Sequence, residues 1–103
     1  MSRAAVLGHP VGHSLSPVLH RAAYAALGLA WTYDAIDVDE HELEGFVASC
    51  GPEWAGLSLT MPLKQTVLSL LDHVEPLAEV VGAVNTVLFQ PGGSRATLVG
   101  ANT

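Results

Sequence analysis

With 103 residues the chain has room for one domain and not for two. Half of its residues are hydrophobic and 14% are charged, which excludes a disordered chain, and no apolar stretch approaches the roughly 20 residues a membrane span needs. A formal net charge of −6 removes the basic surface on which nucleic-acid binding depends.

Met1-Ser2-Arg3 leads directly into Ala4-Ala5-Val6-Leu7, a segment too short for a signal-peptide core. The single cysteine, Cys50, can form no internal disulfide, so the expected location is the reducing cytoplasm.

Ala4 to Leu7 reads as a short apolar strand ending at Gly8. Ser16-Pro17 then opens a helix, with serine as N-cap and proline at the first helical position, and Gly28 stops it after Leu27. Trp31 to Val38 reads as a second strand whose imperfect alternation fits burial on both faces. Asp39 begins the next helix, with Glu42 at capping-box spacing and Leu43, Phe46, Val47 and Cys50 on one face. Cys50 on that apolar face reads as a structural thiol, and Gly51-Pro52 ends the helix.

Gly56 to Thr60 is a third strand, followed by a helix whose apolar face is Leu63, Val67, Leu70, Leu71 and Val74. Pro76 to Val81 allows one short helical segment before Gly82. Ala83 to Phe89 and Ala96 to Val99 read as two strands joined by a polar, glycine-rich hairpin loop. Alternating strands and helices predict one α/β domain: a mostly parallel twisted sheet flanked by helices, with a C-terminal antiparallel hairpin.

In such sheets ligands gather beyond the carboxyl ends of the strands. The loop from Gly8 to Ser16 ends at a helix N-terminus, where Ser14 and Ser16 flank a spot suited to a carboxylate. Taken alone, Ser16 as a cap and Ser14 as a turn residue is the plainer reading. Lys64, the only lysine, stands where the third strand gives way to a helix. The first helical turn disfavours an ammonium by about 0.3–1 kcal/mol, so this is an unusual place for a merely solvated lysine. Asn85 opens an otherwise apolar strand, where satisfying backbone groups is the plainer role. His9, His13 and His20 match no zinc spacing, and no metal site is expected; His41 and His73 read as exposed helix residues. Gly8 and Gly12 form no G-x-G-x-x-G fingerprint, so no dinucleotide site is expected within the chain.

Four segments in order resemble the shikimate dehydrogenase family. They are Gly8, Pro10, His13-Ser14-Leu15-Ser16-Pro17 and His20; Ser58-Leu59-Thr60-Met61-Pro62-Leu63-Lys64; Gly82-Ala83-Val84-Asn85-Thr86; and Gly100-Ala101-Asn102-Thr103. The resemblance implies a cytoplasmic two-domain enzyme that reduces 3-dehydroshikimate to shikimate with NADPH, in aromatic amino acid (chorismate) biosynthesis. It implies that Ser14 and Ser16 hold the substrate carboxylate, that Thr60 and Asn85 hydrogen-bond the substrate, and that Lys64 is the catalytic acid–base residue.

Ser58 replaces the family's usual asparagine, a change expected to alter local hydrogen bonding and not the reaction. The family's catalytic aspartate would follow Thr103, and its NADP-binding domain would lie beyond. Residues 1–103 are therefore expected to be the substrate-binding domain, inactive alone and prone to self-association through surface that the second domain would cover. Two alternatives stand beside this. One is a relative acting on quinate or a similar hydroxy acid, against which Ser16 leans because quinate-active members sometimes carry threonine there. The other is a non-catalytic module that binds a small carboxylate or a partner protein.

Overall fold

Strand β1 (Arg3–Gly8) lies between two parallel neighbours, β2 (Thr32–Asp37) and β3 (Trp54–Leu59), in a computed structural model that describes residues 2–11, 16–90 and 97–102, with Ser16 described by its backbone alone. The sheet continues antiparallel through β5 (Thr86–Gln90) and β6 (Thr97–Ala101). A two-residue strand, β4 (His73–Val74), pairs parallel with β6 at the edge, giving the order β2-β1-β3-β5-β6-β4. This is the expected mostly parallel sheet with a C-terminal antiparallel hairpin. The hairpin connection, 91–96, lies outside the described residues.

The apolar run in β1 is buried on both faces. Ala5 and Leu7 join a large core with Leu57, Leu59, Val84 and Val87, whereas Ala4 and Val6 join a smaller cluster with Val11 and Tyr33. Helix α1 (Ser16–Leu27) packs on the smaller cluster through Tyr24. Helix α2 (Leu43–Ser49) contributes the fully buried Leu43 to the larger core, and α3 (Leu63–Thr66) contributes Leu63. Helix α4 (Pro76–Val81) contributes Ala78. Each fully buried leucine is worth about 1.5–3 kcal/mol over an exposed one.

Gly28 and Gly82 end α1 and α4 at φ +68° and +76°, the left-handed conformation that glycine adopts without a steric penalty. The Asp39–Glu42 box forms, with Asp39 Oδ1 accepting from the Glu42 N–H at 2.9 Å and the Asp39 N–H donating to Glu42 Oε1 at 3.1 Å. It closes a turn, and the regular helix begins only at Leu43.

The helix expected through Val74 is a correction. After one turn in α3 the chain tightens into a 3₁₀ segment, Val67–Leu70, and becomes extended at Leu71 (ψ 144°). Thr66, Val67 and Ser69 are weak helix formers. The edge of the sheet also competes: the Asp72 N–H donates to Leu98 O at 2.9 Å, and the Leu98 N–H donates to Asp72 Oδ2 at 2.7 Å. His73 is thus an exposed strand residue, and His41 lies in the turn before α2; neither is helical.

Candidate functional site

The exits of β1 and β3 are stitched together by backbone bonds. The Thr60 N–H donates to Leu7 O at 2.9 Å, and the His9 N–H donates to Met61 O at 3.0 Å. The His9–Pro10 and Met61–Pro62 peptide bonds are both cis. Gly8 permits the close approach: a Cβ there would overlap Thr60 Cγ2 and lie 3.1 Å from Met61 O.

Thr60 then starts a turn, its carbonyl accepting from the Leu63 N–H at 3.0 Å, and the turn carries Lys64 into α3. The Lys64 carbonyl accepts from the Val84 N–H at 2.8 Å, which docks the segment before β5 onto α3. One residue on, the Asn85 carbonyl accepts from the Leu59 N–H at 2.8 Å, and the Asn85 N–H donates to Ala101 O at 3.0 Å. These bonds bring Thr60, Lys64 and Asn85, all half-buried, to one end of the sheet. They also explain why β5 begins at Thr86 and not at Ala83. The Ala83 and Val84 N–H groups turn toward α4 and α3, bonding Ala78 O and Lys64 O.

Side chains reinforce the arrangement. The Thr86 hydroxyl donates to Asn85 Oδ1 at 2.9 Å, fixing the amide, and Asn102 Nδ2 donates to Ala83 O at 3.2 Å. Arg21 pairs with Asp34 at 3.1 Å, and Arg3 lies over the Trp54 ring. Among the described residues Lys64 has no such carboxylate or ring partner. Its helix is a single turn, so the helix dipole is a weaker reason to single out Lys64 than its unpaired ammonium at a strand exit.

Ser14 lies outside the described residues, and of Ser16 only the backbone is described, at the start of α1. His13, Gly12 and Arg95 also lie outside the described residues.

Three features had no assignment from sequence. His9 Nδ1 lies 2.6 Å from Asp37 Oδ1, and that bond, more than the Asp37 charge, raises the imidazole pKa. Asp39 and Glu42 raise it further. Tyr33 donates its phenol O–H to Ser58 Oγ at 2.8 Å. Asn102 locks the end of β6 to the turn before β5. None carries a local signal, because each bond joins residues at least 19 positions apart.

Among the described residues no group of three or more His, Cys, Asp or Glu side chains is placed to hold a metal ion. No helix there is long and apolar enough to cross a membrane. The loop after β1 lacks the G-x-G-x-x-G spacing that cradles a pyrophosphate.

The family model for the shikimate dehydrogenase substrate binding domain matches residues 6–87. The NADP(+) shikimate dehydrogenase of Thermus thermophilus is 47% identical over 103 residues, covering 100% of this chain and 38% of the relative. The chain thus spans well under half the length of that relative. The crystal structure of the Thermus thermophilus shikimate 5-dehydrogenase in complex with shikimate superposes with TM-score 0.90 at 47% identity, covering 99% of this chain and 38% of that one. A 5-ketofructose reductase of Gluconobacter superposes equally well, with TM-score 0.91, at 29% identity over 99% of this chain and 36% of that one. The chain belongs to the shikimate dehydrogenase family, as a match to its substrate-binding domain.

Proposed function

We propose that this chain is the substrate-binding domain of an NADP-dependent enzyme that interconverts 3-dehydroshikimate and shikimate. The observation that carries the reading is the convergence of Thr60, Lys64 and Asn85 at one sheet end through backbone bonds, with the Lys64 ammonium unpaired among the described residues. Thr60 and Asn85 hydrogen-bond substrate hydroxyls, and Ser14 and Ser16 bind the carboxylate. Lys64 exchanges a proton with the reacting oxygen, where an ammonium opposes the negative charge that develops.

With a net charge of −6, the overall field repels an anionic substrate, so local donors must hold it. NADP belongs to a segment outside these 103 residues, and the chain alone is expected to be inactive.

The likeness to a 5-ketofructose reductase favours one second reading, a polyhydroxy ketone as substrate. A keto sugar has no carboxylate, so Ser14→Ala and Ser16→Ala separate the two readings.

The test is NADP⁺-dependent shikimate oxidation, comparing this chain with a longer polypeptide that carries a nucleotide-binding domain. The chain alone should show no turnover, and the longer form should be active. Lys64→Met in the longer form should lower kcat by about 10²–10⁴-fold. Full activity in Lys64→Met, or no shikimate turnover by the longer form, contradicts the reading.

A further inference from the structure

We propose that Tyr33 is a positioning residue for this site, one that ties β3 to α1 and so fixes the strand end that leads into Thr60. The inference rests on the reading that the site binds shikimate. Tyr33 lies in β2 and is only 2% exposed, and none of the candidate ligand-binding residues is in its strand.

Its ring stacks face to face on His20 of α1, with centroids 4.1 Å apart and planes 8° from parallel. Its phenol O–H reaches past β1 to donate to Ser58 Oγ in β3 at 2.8 Å. One buried side chain therefore grips both elements. Helix α1 begins at Ser16, and β3 ends one residue before Thr60.

The link to β3 acts close to the site. Ser58 is the penultimate residue of β3 and precedes Thr60 by two positions. It also stands opposite Thr86, whose hydroxyl fixes the Asn85 amide. Among the described residues, the Tyr33 bond is the one side-chain hydrogen bond that Ser58 makes.

The ring and the hydroxyl do different work. The ring packs with Ala4, Val6 and Val11, a contact that phenylalanine would preserve. The hydroxyl bond has a fixed length and direction, and a part-buried bond of this kind gives one register where apolar packing alone tolerates several.

Shikimate titration calorimetry on Tyr33→Phe, Ser58→Ala and the double variant tests the proposal. Chemical shifts of the His20 ring protons are recorded alongside. Tyr33→Phe should retain the wild-type His20 shifts, since the stack is kept, and should bind shikimate about fivefold more weakly. Ser58→Ala should show a similar loss, and the double variant should lose no more than either single one. If Tyr33→Phe fails to fold, Ser58→Ala removes the same bond from its half-buried end.

Wild-type affinity in Ser58→Ala overturns the proposal, as do losses that multiply in the double variant. An unmodified chain that binds no shikimate overturns the proposed function itself. An unmodified chain that binds, with variants that bind equally well, overturns only the role of Tyr33.

Discussion

Gly8 and Thr60 share one space: a Cβ on Gly8 would overlap Thr60 Cγ2, so the exits of β1 and β3 meet only because residue 8 has no side chain. The same approach lets the His9 N–H reach Met61 O and the Thr60 N–H reach Leu7 O. The loop that leads toward Ser14 and the turn that carries Lys64 are joined at this point.

Gly8→Ala should therefore cost stability and displace the site together. The added methyl also meets the Met61 carbonyl at 3.1 Å, a backbone atom that cannot rotate away. Overpacking of this kind costs about 1–3 kcal/mol, read as a lower urea midpoint at unchanged slope. An alanine variant with wild-type stability would mean that the strand exits are not in contact.

The His9–Asp37 pair predicts a pH dependence. The folded imidazole has a pKa raised above 6.5, first by its hydrogen bond to Asp37 and then by that carboxylate's charge. A raised value means that the pair stabilises the fold fully below pH 6.5. The contribution disappears as pH rises through the folded value. The urea midpoint of the wild type should exceed that of Asp37→Asn at pH 6, and the gap should narrow by pH 8. Both groups are exposed, so the effect is small and should shrink further in salt. A gap that widens with pH would contradict the pairing.

Cys50 should be slow to alkylate. Burial, followed by the Glu53 charge, pushes its thiol up to about 11 from 9.0, while Arg3 opposes the shift weakly. Near pH 8 this leaves about 100-fold less thiolate than a free cysteine, and the iodoacetamide rate should fall in proportion. Reaction at the free-cysteine rate would show that α2 does not hold the thiol against the core.

Local signals in the sequence marked the elements that end on local chemistry. Gly28 ends α1 and Pro76 and Gly82 bracket α4 as expected, whereas α1 begins one residue earlier than expected, with Ser16 as its first helical residue and not its cap. The segment 63–74 misled because Leu70, Leu71 and Val74 fall at helical spacing while their surroundings are set at a distance. Asp72 bonds Leu98, 26 positions away, and that edge pairing outweighs the weak helical preference of the preceding residues.

The candidate site divides in the same way. Thr60 and Lys64 are neighbours in sequence, and their shared turn was legible. Asn85 joins them only through the Lys64–Val84 and Leu59–Asn85 bonds, which no local pattern announces. The motif resemblance linked the three residues in the absence of any such pattern. Tyr33 gave no warning at all, since its partner Ser58 lies two strands away.

The most direct test of the central claim is a residue-resolved amide titration of the ¹⁵N-labelled chain with shikimate. Saturable shifts should be largest at Thr60, Lys64 and Asn85, and Thr60→Ala should weaken them. A silent spectrum would contradict the account. So would shifts centred instead on the groove of about 220 Å³ between α2 and the hairpin, lined by Glu44, Val47, Cys50, Phe89 and Leu98.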